Sequence, residues 1–162
     1  MNPYLGPLLL AAEHDTDGFD CGDENLNDWL LRRAQRNQRA GSSRTWVVTD
    51  GVRVVAYYAS SAAVVTRAEA TRRAARNQPD PLPAMLLARL AVDLRHQGRG
   101  LAAALLKHFL LKVLEVASHT GVRLALVHAA NDGAAGFYRR YGFEPSPVDD
   151  LTLMRLVKDI GA

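Results

Sequence analysis

With 162 residues, 48% of them hydrophobic, the chain is long enough for one compact α/β domain with a sizeable core and too short for two comfortable ones. Twenty Lys plus Arg against seventeen Asp plus Glu leave a formal charge of +3, which permits a polyanionic partner without requiring one. The single cysteine, Cys21, excludes an internal disulfide, no Cys/His cluster has zinc spacing, and Asp93, Arg95 and Lys107 interrupt the longest apolar stretches, so neither a metal centre nor a membrane span is expected.

The opening MNPYLGPLLL lacks the basic start and small-residue cleavage site of a secretory signal, which makes a cytoplasmic protein the simplest expectation. Tyr4 to Leu10 reads as a first strand. From Asn25 to Ala40 the spacing of Leu26, Leu30 and Ala34 predicts one helix, with Trp29 at the edge of its apolar side. Asp23 or Asn25 suits its N-cap, and Gly41 the left-handed position beyond its end. Thr45–Thr49 and Arg53–Ala59 predict a β-hairpin turning at Asp50 and Gly51, with Val64 and Val65 prolonging the second strand. The basic stretch from Arg67 to Arg76 precedes Pro79, Pro81 and Pro83 and reads as a loop or short irregular helix.

Met85 to Val92 is almost continuously apolar and suits a central strand. Leu101, Leu105, Phe109, Val113 and Ala117 recur every four residues, predicting a long helix with one buried face. Val122–Ala129 supplies another strand, Asp132–Tyr141 a short helix capped by Asp132, and Leu151–Val157 the last strand. The alternation predicts a mixed central β-sheet flanked by helices in one α/β domain over residues 1–162.

Two local units carry chemistry. The first, LAVDLRHQGRGLA from Leu90 to Ala102, joins a strand to a helix through Gly98 and Gly100. It can aim successive backbone N–H groups and a helix N-terminus at an anion, with Arg95, Gln97 and Arg99 as further donors. It lacks the glycine spacing of a dinucleotide fingerprint and the GxxxxGK[ST] of a Walker loop. An ordinary strand-to-helix turn would use some of the same residues. The second, NDGAAGFYRRYGFE from Asn131 to Glu144, sets small and aromatic residues close together, and Tyr138 offers a phenolic O–H either to a departing thiolate or to a backbone group in the core. Tyr141, beside Gly142 near the helix end, reads as structural.

In order and in wording, valine-rich strand, QGRG loop, long helix, strand and AAGFYRRYGF together resemble the GNAT acetyltransferase family. FDCGDENLNDWLLRRAQRNQRAG, the Tyr57-Tyr58 pair, PAMLLARLAVD and GFYRRYGFEPSP look more closely like its tRNA-acetylating toxin branch. Ala56 and Ala102 depart from glycines common in the family, though both remain small. The resemblance implies a single-domain GNAT fold and a toxin that moves acetyl from acetyl-CoA to the α-amino group of aminoacyl-tRNA, which stops translation. It places Leu90, Ala91 and Val92 along the pantetheine arm. Arg95, Gln97, Gly98, Arg99, Gly100, Leu101 and Ala102 fall around the pyrophosphate, Asn131 and Phe137 along the acyl-CoA channel, and Tyr138 as general acid near the CoA sulfur. It also implies a homodimer and a ribbon-helix-helix antitoxin, and requires no metal.

RNA binding calls for phosphate contacts over an extended basic area, and Arg32, Arg33, Arg36, Arg39, Arg73, Arg76 and Arg89 are the candidates. Arg89 stands out because it interrupts the apolar strand, although an internal ion pair or strand-end solvation would also account for it. His96, His119 and His128 are chemically possible bases, and an aminoacyl ester amine needs no strong one. Two other readings use the same residues: a GNAT enzyme acting on a small-molecule or protein amine, and a noncatalytic acyl-CoA-binding regulator.

Overall fold

The structure is a computed structural model, and it describes residues 3–161. Met1, Asn2 and Ala162, the ends of the expected 1–162 domain, lie outside the described residues. In chain order the elements are β1 (Tyr4–Leu9), α1 (Glu24–Arg32), α2 (Ala34–Arg39), β2 (Arg44–Asp50), β3 (Arg53–Val65), α3 (Arg72–Ala75) and β4 (Leu82–Val92). A short 3-10 turn, Leu94–His96, leads to α4 (Leu101–Ala117), β5 (Leu124–His128), α5 (Asp132–Arg140), β6 (Glu144–Ser146), β7 (Asp149–Leu156) and α6 (Val157–Ile160). The strands form a seven-stranded mixed sheet in the order β1-β2-β3-β4-β5-β7-β6.

The chain divides into two compact units, and β3, β4 and α4 each contribute to both. The first holds the chain up to Ser61 together with Ala88–Phe109. In it β1 and β2, and β2 and β3, pair antiparallel, with Trp46 opposite Tyr58 and Val47 opposite Tyr57. Gly51 turns the hairpin at φ +64, a conformation that favours a residue without a Cβ. Leu10, Phe19, Trp29, Leu30, Val47 and Tyr57 anchor its core.

The expected single helix over Asn25–Ala40 is two helices. Arg33, at φ −122 and ψ −27, separates α1 from α2. Side-chain fastening accounts for the break. Gln38 of α2 donates from Nε2 to the Leu10 carbonyl at 2.7 Å and accepts from the Thr45 N–H at 2.9 Å, which ties the second helix to the ends of two strands. Asp23 caps α1 by accepting from the Asn25 and Leu26 N–H groups, and Gly41 follows α2 at φ +79.

The second unit holds Ala62–Leu87 and the residues from Leu110 onward. In it β4 and β5 run parallel, from Ala84 opposite Leu124 to Leu87 opposite Val127, and β7 pairs antiparallel with both β5 and β6. Strand β6 was not expected from the sequence; only three residues long, it is too short to show a period. Leu82, Leu124, Leu126, Met154 and Leu156 pack its core with Ala70, Ala74 and Ala75 of the basic stretch. That stretch is pinned from within: Arg67 donates to the carbonyls of Ala75 and Gln78, while Arg123 donates to those of Arg73 and Ala74. The basic segment is therefore an ordered strap built around α3. No described helix is long and apolar enough to cross a membrane.

Candidate functional site

The glycine loop grows from a buried carboxylate. Asp93 is 1% exposed, and its oxygens accept from the N–H groups of Asp20 and Arg95 and from the Arg95 guanidinium at 3.0 Å. Hydrogen bonding from Arg95 holds its carboxyl down at about 2, well under the ordinary aspartate value, against the opposing effect of burial. Asp93 thereby clamps the start of the loop to the segment before α1. The sequence shows Asp93 only as a break in an apolar stretch, because nothing local reveals that its carboxylate is buried.

Past Asp93, Gly98 and Gly100 both sit at φ +79, and a Cβ at either would meet nothing within 4 Å. These glycines are required by backbone conformation rather than by crowding. The loop delivers the chain into α4, whose first hydrogen bond runs from the Ala104 N–H to the Gly100 carbonyl, so the first-turn amides precede the intrahelical ladder. A helix N-terminus after an open, left-handed loop suits a phosphate group.

The side chains expected to assist divide into two groups. Arg95 spends its fork on Asp93, and Gln97 donates back to the Val92 carbonyl at 3.0 Å. Arg99, exposed like the other two, donates to the Tyr4 hydroxyl at 2.7 Å and, among the described residues, is matched by no carboxylate or backbone carbonyl. Leu90 and Val92 are half-buried, Ala91 and Leu101 buried, and Ala102 half-buried.

In the second unit, Asn131, Phe137 and Tyr138 come together on and just before α5. Asn131 is the helix cap, accepting from the Ala134 N–H at 2.9 Å, so the cap lies one residue earlier than the expected Asp132. The reason is that an N-cap must have extended backbone, which Asn131 adopts at φ −163. Phe137 packs on Tyr138 at 5.3 Å and on Tyr141 at 5.1 Å between ring centres.

Tyr138 is 6% exposed, and burial pushes its phenol above the ordinary tyrosine value. It differs from the other buried tyrosines in what its hydroxyl does. Tyr57 donates to the Leu26 carbonyl at 2.7 Å and Tyr58 bonds His108 Nδ1 at 2.6 Å. Among the described residues the Tyr138 hydroxyl makes no hydrogen bond, so it keeps its proton available for a ligand.

The arginines also separate. Arg32, Arg33, Arg36 and Arg39 are exposed, with Arg32 in a 3.6 Å ion pair with Asp28. Among the described residues Arg89 makes no ion pair, nor is it a purely solvated strand end: its guanidinium lies 4.5 Å from the centre of the Trp29 ring, which in turn stacks on Tyr57. Burial lowers its pKa, and the charge of Arg33 adds in the same direction, so Arg33 and Arg89 belong to one positive patch. Arg73 is bound to Asp159 at 2.9 Å and Glu144 at 3.2 Å. Arg76 is exposed and lines an open cleft of about 280 Å³ with Arg73, Arg123 and Lys158. Of the candidate bases, His96 bonds Tyr4, and His128 bonds Thr152 at 3.2 Å. No group of three or more His, Cys, Asp or Glu among the described residues could hold a metal ion.

Comparison with known proteins places this geometry. Residues 41–145 match the acetyltransferase (GNAT) domain model. The chain is 42% identical over 162 residues to the tRNA-acetylating toxin of Mycobacterium tuberculosis, spanning 100% of this chain and 98% of that one. Its fold matches AtaT complexed with acetyl-methionyl-tRNAfMet at a TM-score of 0.88, with 29% identity over 95% of both chains. It also matches a tyrosine-to-phenylalanine mutant of AtaT bound to the C-terminus of the antitoxin AtaR and acetyl-CoA, at a TM-score of 0.83 and 26% identity over 98% of this chain and 96% of that one. The chain belongs to the GNAT acetyltransferase family and, within it, to the branch that contains the tRNA-acetylating toxins.

Proposed function

We propose that this protein is a toxin that transfers acetyl from acetyl-CoA to the α-amino group of aminoacyl-tRNA, acting as one cytoplasmic domain over residues 1–162 and blocking translation. The observation that carries this reading is the 42% identity with a tRNA-acetylating toxin along 100% of this chain. The loop geometry supports the donor. Gly98, Gly100 and the start of α4, with Leu101 and Ala102, would receive the pyrophosphate, and Leu90, Ala91 and Val92 would carry the pantetheine arm. Asn131 and Phe137 would border the acyl channel.

Arg99, rather than Arg95 or Gln97, is assigned as the side chain that meets the pyrophosphate, because Arg95 is paired with the Asp93 carboxylate and Gln97 with the Val92 carbonyl, whereas Arg99 meets a neutral hydroxyl. Arg99→Ala is expected to raise KM for acetyl-CoA about tenfold, the scale of one hydrogen bond to a charged group. Arg95→Ala is expected to act mainly on stability. Steady-state kinetics set beside urea unfolding separates the two effects.

In the reaction, the neutral amine attacks the thioester carbonyl carbon, a C–N bond forms, the C–S bond breaks, and the surplus ammonium proton leaves to solvent. Tyr138 would face the sulfur. An ordinary thiol ionises near 8.5 and an ordinary phenol near 10, and burial raises the phenol further, so complete proton transfer from Tyr138 is uphill. Its main contribution is a hydrogen bond to the developing thiolate, with solvent supplying the final proton.

The RNA would lie on the patch of Arg32, Arg33, Arg36, Arg39 and Arg89. Arg76 offers a second point of attachment, and Arg73 a weaker one because its charge is already matched. The Arg33→Ala, Arg36→Ala double variant is expected to weaken charged-tRNA binding and flatten its salt dependence by roughly 0.7–0.9 in log–log slope for each phosphate it no longer neutralises. Filter binding across a salt series measures both. A ribbon-helix-helix antitoxin and a second copy of the chain complete the assignment. AtaT bound to the C-terminus of AtaR supports the antitoxin.

The direct test incubates the protein with labelled acetyl-CoA and either charged or deacylated tRNA. Label on the aminoacyl group with charged tRNA alone is the expected result. Intact acetyl-CoA binding with label appearing only on small amines would overturn the RNA assignment.

A further inference from the structure

Arg99 sits between two glycines in the left-handed region, on an exposed loop where the backbone itself restrains a side chain little. A free arginine carries about 2 kcal/mol of rotamer entropy that an anion would have to remove on binding. Here a residue far away in the sequence removes it first. Tyr4, at the start of β1, accepts from Arg99 Nη1 at 2.7 Å, and its oxygen lies 2.7 Å from His96 Nδ1. The Tyr4 and His96 rings also meet edge-on, 5.6 Å apart at an interplanar angle of 71°.

The direction of this chain follows from the donor inventory. Arginine only donates, so the Tyr4 oxygen accepts from Arg99, and the same hydroxyl shares a second hydrogen bond with His96 Nδ1. Tyr4 is itself fixed, because β1 pairs with β2 with Tyr4 opposite Asp50. The sheet edge thus holds the guanidinium at the loop crest, and only one of its five N–H groups is spent on Tyr4.

We propose that Tyr4, oriented by His96, is a positioning residue that presets Arg99 for the pyrophosphate of the acyl-CoA donor. This rests on the assignment of the Asp93–Ala102 loop to that pyrophosphate. Preorganisation of this kind strengthens binding of the phosphate-bearing donor alone, because it acts only through Arg99.

The test is titration calorimetry of the parent, Tyr4→Phe, Arg99→Ala and the double variant with CoA and with pantetheine, which lacks the pyrophosphate. Tyr4→Phe is expected to weaken CoA about three- to tenfold, a part of the rotamer entropy that Tyr4 otherwise removes in advance, and to leave pantetheine unchanged. In the Arg99→Ala background it is expected to add nothing. Equal losses with both ligands, additive losses in the double variant, or no loss in Tyr4→Phe would overturn the positioning role. A parent that binds CoA no tighter than pantetheine would instead remove the loop assignment, and with it the proposal. Urea unfolding of Tyr4→Phe identifies any loss of folded protein.

Discussion

Tyr138→Phe is expected to lower kcat by about 10²–10³-fold while leaving acetyl-CoA affinity near the parent value, the effect of removing one donor aimed at a charge that develops only in the transition state. The ring stays, so its packing against Phe137 and Phe143 and the seating of α5 are kept. What disappears is the O–H. Burial holds that phenol protonated above the ordinary tyrosine range, so parent activity should show no decline from Tyr138 ionisation as pH rises through 10. Single-turnover acetyl transfer, measured alongside calorimetric CoA binding, checks both statements. A variant as fast as the parent would assign Tyr138 to the core and return the leaving thiolate to solvent.

Asp93→Asn is expected to cost about 2–3 kcal/mol of folding stability. An amide in that place directs N–H groups at donors, namely the Asp20 N–H and the Arg95 guanidinium, and leaves at least one of them unmatched. The pH dependence has a definite sign. Because the folded carboxyl titrates near 2, below its unfolded value, its contribution of about 2 kcal/mol is fully present above roughly pH 4 and fades as pH falls toward 2. Urea unfolding at neutral pH and near pH 3 should therefore show parent and variant converging under acid. The loop it anchors carries Arg99, so the variant should also bind acetyl-CoA more weakly at neutral pH.

Features of the candidate site that depend on neighbours along the chain were legible from the sequence. The four-residue recurrence from Leu101 to Val113 is buried at Leu101, Leu105, Phe109 and Val113, as a helix with one apolar face demands. The left-handed turn at Gly51, the Asp23 cap and the glycines of QGRG are local conformational requirements, and each has its counterpart in the backbone, although the turn pairs Gly51 with Val52 and leaves Asp50 at the end of β2. The break at Arg33 was not legible, since it depends on Gln38 reaching Leu10 and Thr45. Nor was the fate of individual charges: nothing near Arg73 in sequence distinguishes a free guanidinium from one already matched by Asp159, and the sequence sets Asp93 two residues before Arg95 without showing that this carboxylate is buried.

By itself the sequence determined the alternation of strands and helices, the glycine loop leading into α4 and the resemblance to one acetyltransferase branch. Periodicity, turn chemistry and motif order are all written in consecutive residues. Only the tertiary structure decided which arginines are spent on carboxylates, which buried tyrosine keeps its hydroxyl uncommitted among the described residues, and that Tyr4 holds Arg99. Those outcomes are set by burial and by hydrogen bonds, several of them between residues distant along the chain, and a side chain's chemistry is completed by the partner that folding brings to it.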